Sequence, residues 1–277
     1  MAIPKILATP FVTLLIVYLV ICASMWLYQR NMIYIPDVGA RPPSSYGLLS
    51  VEKIVLDTPD GEKLEAWSWK GNPDKPVIAF FHGNAGNLSH RAITFRMFKA
   101  LGLGFVALDY RGFGNSTGKP SEAALYRDAE QVLAYMNEKF GVEDWKIVLY
   151  GESLGSGIVT EMATRRPFAG VVLQSPYTSV AAAAKRRFFW LPVDLLLTER
   201  FSNIDRIGRI NAPLLVIHGR DDELFPVDMA ETLVENARSP KTGIYLADTG
   251  HNDLDIRDIA DHLSTFIAAL PDAQAGR

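Results

Sequence analysis

Hydrophobic and polar positions divide the chain into two regimes. From Ile6 to Tyr28 there is no charged residue, and Leu, Ile, Val and aromatic side chains fill the segment. As a helix rising about 1.5 Å per residue it would cross a hydrocarbon layer of about 30 Å, which predicts a transmembrane helix. The run exceeds the apolar region of a signal peptide, about 7–15 residues, and no A-x-A cleavage site follows it. Beyond it, apolar residues come in short runs. Val51–Asp57 and Lys63–Trp69 flank the turn signal Pro59-Asp60-Gly61 and read as a hairpin. Runs at Val77–Phe81, Phe105–Asp109, Lys146–Tyr150, Val171–Gln174, Leu214–His218 and Gly243–Ala247 lack polar alternation, as strands buried on both faces do. Longer helical stretches separate them. One, Ser121–Phe140, has Ser121 placed as an N-cap and a stripe of Ala124, Leu125, Ala129, Val132, Leu133 and Met136. This alternation predicts an α/β fold: a mostly parallel twisted sheet with helices on both faces.

Four segments follow: an anchor at 1–30, a Pro-containing linker at 31–50 (Pro36, Pro42, Pro43), a folded domain at 51–270 and a tail at 271–277 expected to fray. Trp26, Tyr28 and Tyr34 fit an aromatic belt, with Arg30 at the membrane exit. Lys5 on one side is matched by Arg30 and Arg41 on the other, which leaves the orientation open. Composition narrows the partners. The 28 basic residues nearly balance 31 acidic ones, so the net charge of −3 supplies no footprint for nucleic acid. A single cysteine, Cys22, excludes internal disulfides and CxxC metal sites, and is read as a lipid-facing or packing side chain. Neither H-E-x-x-H nor a Walker sequence occurs, so no metal and no cofactor is expected.

The strongest chemical signal is Gly151-Glu152-Ser153-Leu154-Gly155, between the apolar run Ile147–Tyr150 and the helix-compatible Ser156–Arg165. G-x-S-x-G in this context makes a sharp strand-to-helix turn that exposes the Ser153 hydroxyl, a candidate nucleophile. A serine needs an imidazole to take its proton. His251, in Gly250-His251-Asn252 after the last strand, is the candidate base; His82, His90, His218 and His262 read as structural. The orienting acid should hang from the loop after the penultimate strand, His218 to Pro226, where Asp221 and Asp222 compete. Asp248, Asp253 and Asp255 lie near His251 but in the wrong loop. Backbone N–H groups of Leu154, at a helix start, and of Asn84, in His82-Gly83-Asn84-Ala85-Gly86-Asn87, are candidates for an oxyanion hole. The stretch Asp109 to Gly118 contains a G-x-G without the third glycine of a dinucleotide site, and is read as a loop bracing the Asn84 loop.

These motifs, in this order between about Val51 and Leu270, resemble the α/β-hydrolase superfamily. The H-G-N-A-G-N and G-E-S-L-G versions are similar to its membrane-associated branch. That branch includes fungal bud-emergence-type proteins and animal depalmitoylating hydrolases, often grouped with serine aminopeptidase-like domains. The resemblance implies an α/β-hydrolase fold and a triad of Ser153, Asp222 and His251, because the branch's H-G-x-x-D spacing lands on Asp222. It implies no particular substrate.

Between the strands ending near Gln174 and starting near Leu214, residues 177–211 form an insertion read as a small helical lid before the penultimate strand. Phe188, Phe189, Trp190 and Leu191 stand there beside Lys185, Arg186 and Arg187, a pairing typical of membrane-interface helices. If these apolar side chains line the pocket, the substrate is lipid-like; otherwise they only close the core. The expected activity is hydrolysis of an ester or thioester by a membrane-anchored serine hydrolase. Amide hydrolysis by the same residues and an idle, membrane-tethered binding protein are the alternatives. Because the anchor carries none of the motif residues, its removal is expected to spare the hydrolysis of short soluble esters.

Overall fold

The computed structural model describes residues 5–271; the tail, from residue 272 on, lies outside the described residues. After a long helix α1 (Lys5–Ile33) and a two-residue strand β1 (Ile35–Pro36), an eight-stranded sheet is built. Its members are β2 (Glu52–Asp57), β3 (Lys63–Trp69), β4 (Val77–Phe81), β6 (Gly104–Leu108), β7 (Ile147–Glu152), β8 (Gly170–Gln174), β9 (Leu214–Gly219) and β10 (Lys241–Leu246). The order across the sheet is β10-β9-β8-β7-β4-β6-β3-β2. The β2–β3 hairpin adds antiparallel to β6, and every other pairing is parallel. The predicted strands are present: Lys63–Trp69 and Val77–Phe81 keep both ends, and no end of the others moves by more than two residues.

The unalternating apolar runs have a direct structural meaning. In β4, Val77, Ala79 and Phe81 face one core with Leu125, Val132 and Ile158, whereas Ile78 and Phe80 face a second core with Phe95, Phe98 and Leu263. Both faces of the sheet are therefore covered, as parallel strands joined by helical crossovers require. On the first face lie α3 (Glu122–Lys139), α4 (Leu154–Ala163) and α8 (Val227–Asn236). On the second lie α2 (Ala92–Ala100) and α9 (Ile256–Ala268). Ser121 caps α3 through its hydroxyl, which accepts the Ala124 N–H.

Three expectations about the N-terminal region need correction. The helix continues past Tyr28 to Ile33. Residues 31–50 are not a spacer: β1 pairs in parallel with β5 (Ala85–Gly86), Val38 bridges Gly114, and Leu48 is buried in the second core. The extended Ile35-Pro36 backbone found an edge to pair with, which sequence composition cannot foresee. Tyr34 is no interfacial aromatic, because its ring is buried edge-on to Phe201 and its hydroxyl donates to Glu199 at 2.6 Å. Burial and this carboxylate push the phenol well above its ordinary pKa.

The insertion after β8 holds α5 (Val180–Arg187), α6 (Val193–Leu196) and α7 (Ile204–Ile207). It packs on α1: Cys22 is buried against Leu191 and Val193, and Gln29 donates to the Leu196 carbonyl while accepting from the Thr198 N–H. Glu199, itself buried, receives Arg30, the Tyr34 hydroxyl and the Glu122 N–H, joining α1, the insertion and α3 at one carboxylate. Glu199→Ala leaves the buried Tyr34 hydroxyl and the half-buried Glu122 N–H without their acceptor. It should cost about 2–4 kcal/mol, read as a Tm lowered by roughly 5–10 °C in detergent by scanning calorimetry.

Candidate active site

Strand β7, fourth from one edge of the sheet, carries the chain into Ser153 with φ 49° and ψ −113°, a left-handed conformation that a non-glycine residue holds only under constraint. The neighbouring glycines make that possible. A side chain at Gly155 would run into the Phe81 carbonyl of β4, and one at Gly151 into the Gly155 carbonyl. The Ser153 N–H is held by the Gln174 carbonyl at the end of β8, at 2.8 Å.

Two loops at the same end of the sheet meet this serine. His251, following β10, brings Nε2 to 3.0 Å from Ser153 Oγ, and its Nδ1 lies 2.6 Å from Asp222 Oδ2. With the proton on Nδ1, the ring donates to the carboxylate and leaves Nε2 to accept from the hydroxyl. The other oxygen of Asp222 accepts the Leu224 and Phe225 N–H groups at 2.9 and 2.8 Å. Burial alone would raise the Asp222 pKa, but the His251 bond and the Phe225 amide outweigh it and hold the carboxyl below its ordinary range. Asp221 is exposed, as are Asp248 and Asp253, and Asp255 caps α9. Of the acids that competed in sequence, Asp222 is the one that meets His251.

Asn84 and Leu154 line the same cavity as Ser153. Leu154 is the first residue of α4, so its N–H has no partner inside the helix and lies at the positive end of the helix dipole. The Asn84 loop is braced from two sides. Tyr110 stacks on His82 at 4.1 Å and donates to its carbonyl, while Asp109 accepts the Leu88 N–H at 2.9 Å, so the 109–118 loop packs where expected. The other brace is the end of α1 together with β1, which follows it. Ile35 donates its N–H to the Asn84 carbonyl at 2.9 Å, and the Asn84 side chain donates to the Ile33 carbonyl at 3.0 Å.

The cavity, about 810 Å³, lies between the insertion, α1 and the ends of the strands. Met25, Gln29, Met32 and Ile33 of α1 form one wall, and Phe188 and Leu191 belong to the part that the insertion supplies. Phe189 and Trp190, grouped with them in sequence, do not line it; they are 84% and 47% exposed. The chain leaves α5 at Phe188 and turns, with the Leu191 N–H bonded to the Phe188 carbonyl. The first and fourth residues of such a turn share a side, while the middle two sit at its tip. Among the described residues no cluster of His, Cys, Asp or Glu is placed to hold a metal ion.

The family model described as serine aminopeptidase, S33, matches residues 72–203. The α/β-hydrolase domain-containing protein 17B of Xenopus laevis is 30% identical over 230 residues, 79% of this chain and 76% of that protein. An uncharacterized protein of Mycobacterium tuberculosis is 36% identical over 248 residues, 88% of each chain. An esterase of Pyrococcus furiosus shares the fold with a TM-score of 0.71 at 18% identity, over 86% of this chain and 98% of that one. The chain belongs to the α/β-hydrolase superfamily.

Within this α/β-hydrolase, sequence reasoning missed two parts of the site. His218 is buried, with Nε2 at 2.7 Å from the Phe225 carbonyl and 3.2 Å from Asp222 Oδ2, so the carboxylate meets two imidazoles. Burial holds the His218 pKa below its usual value and keeps that ring neutral. The α1 wall was also missed, although Gln29 signalled it: a polar side chain in an apolar helix ordinarily faces protein, not lipid. The acid assignment is open to a direct test. Asp222→Asn should lower kcat on a short soluble ester by about 10⁴-fold with Tm little changed, whereas Asp221→Asn should stay within a factor of a few of wild type.

Proposed function

We propose that the protein is a membrane-anchored serine hydrolase that cleaves carboxylic ester or thioester bonds through an acyl-enzyme. The observation that carries this reading is the hydrogen-bonded chain from Ser153 through His251 to Asp222, opening on a large cavity walled mainly by apolar side chains. The Ser153 hydroxyl attacks the acyl carbon while His251 Nε2 takes its proton. The carbonyl electron pair moves onto oxygen, where the N–H groups of Asn84 and Leu154 receive the charge. Collapse expels the alcohol or thiol, which leaves with the proton from His251. Water then attacks the acyl-enzyme by the same route and restores Ser153.

The idle-scaffold alternative is disfavoured by the strained turn at Ser153, since a binding protein has no reason to retain a conformation that costs about 1–3 kcal/mol. An apolar acyl chain suits the lining, gaining about 0.8 kcal/mol per buried CH₂. The charged side chains that line the cavity, Arg186, Arg187 and Glu223, are all exposed to solvent and suit its rim. Helix α1, long and apolar enough by length and composition to cross a membrane, is the anchor.

Fluorophosphonate labelling tests the nucleophile: wild type should label, and Ser153→Ala should lose both label and p-nitrophenyl ester hydrolysis. Unchanged labelling of the variant overturns the reading. The contacts with Asn84 come from Ile33 and Ile35, outside the residue 1–30 anchor whose removal is expected to spare short soluble esters. Asn84→Ala keeps the backbone N–H but releases the loop from Ile33, and should lower kcat about tenfold, the worth of one hydrogen bond, with KM little changed.

A further inference from the structure

The contacts between α1 and the insertion set a length problem. The Tyr18 hydroxyl donates to the Trp190 carbonyl at 3.1 Å, and Cys22, Met25 and Gln29 continue the contact towards the C-terminal end of α1. The part of the described helix apolar and long enough to cross a membrane, Pro10–Ile33, measures about 36 Å and includes the stretch from Tyr18 to Gln29 that packs on the insertion. A hydrocarbon layer is about 30 Å thick. A bilayer crossed by that segment therefore meets the tip of the insertion, at the depth of about 5–10 Å where interfacial apolar side chains sit.

The tip has the matching chemistry. Phe189 and Leu195 are each 84% exposed and line one shallow surface hollow, Trp190 beside Phe189 in the chain is 47% exposed, and none of the three lines the cavity. Lys185, Arg186 and Arg187 close the last turn of α5 directly above them. Lys185 is paired with Asp194 and Arg186 with Asp228, while the exposed Arg187 stands where a lipid phosphate would meet it. Apolar tip, basic rim and continuity with a helix fit to cross a membrane point to one occupant, the interface of a bilayer carrying anionic lipid.

We propose that the turn at residues 188–195 inserts into the same leaflet that α1 enters, so that the cavity between α1 and the insertion receives the acyl chain of a membrane-resident ester directly from that leaflet. Membrane insertion of the tip rests on the reading of α1 as a membrane span, and the substrate rests on the hydrolase reading above. It also accounts for the split within the aromatic run: Phe188 and Leu191 serve the cavity, and Phe189 and Trp190 serve the membrane.

The test uses the full chain in vesicles of phosphatidylcholine and phosphatidylglycerol. With Ser153→Ala to exclude turnover, the emission lost on adding Trp190→Phe isolates Trp190 from the other tryptophans. That component should be quenched by bromine on the lipid acyl chains and shielded from aqueous acrylamide. Quenching by acrylamide alone overturns the proposal, because the tip is then in water; shielding from both overturns it too, because the tip is then covered by protein, such as a second copy. In the active chain, Phe189→Ser with Leu195→Ser should lower the ratio of the rate on a vesicle-borne long-chain ester to that on a short soluble ester by at least about tenfold. An unchanged ratio overturns lateral delivery. A wild type that hydrolyses neither ester defeats the hydrolase reading and leaves insertion to be decided by the quenching result.

Discussion

A serine backbone held at φ 49° is the constraint around which the site is organised. The turn exists because β7 runs between β4 and β8, with its neighbours supplying a wall at Phe81 and an acceptor at Gln174. Glycine at 151 and 155 lets the two segments approach to backbone contact, and the fully buried strands around them resist relaxation. The same sheet ends launch the loops that carry His251, Asp222 and Asn84. Strain at one residue is thus maintained by burial over the whole central sheet.

A second dependence runs from the N-terminal helix into the chemistry. The end of α1 and β1 after it hold the Asn84 loop by a side-chain and a main-chain hydrogen bond, and the last two turns of α1 wall the cavity. Glu199 closes the triangle between α1, the insertion and α3. A segment whose composition suggests only a tether is therefore part of the site. Displacing the helix relative to the insertion would move one wall of the cavity and one support of the Asn84 loop together.

The sheet was legible in sequence because its strands are buried on both faces, and unbroken runs such as Val77–Phe81 admit few other readings once helices alternate with them. The Ser153 turn was legible for a related reason: glycine spacing is a local requirement, written within five residues. The residues themselves did not separate Asp222 from Asp221; only the resemblance, through its H-G-x-x-D spacing, favoured Asp222. Adjacent residues in a loop point in different directions, and only the fold decided that Asp222 turns inward to His251 while Asp221 meets solvent.

By itself the amino-acid sequence determined the layered α/β architecture, the apolar helix and the residue types that could carry acyl transfer, since periodicity, turn chemistry and helix length are short-range properties. Tertiary structure decided what those elements do to one another. It pairs Ile35 with the Asn84 loop, buries Tyr34 against Phe201 and Glu199, and divides Phe188 and Leu191 from Phe189 and Trp190. The first two depend on contacts between segments about 50 to 170 residues apart, and hydrophobicity along the chain specifies that a side chain will be buried without specifying which partner will bury it.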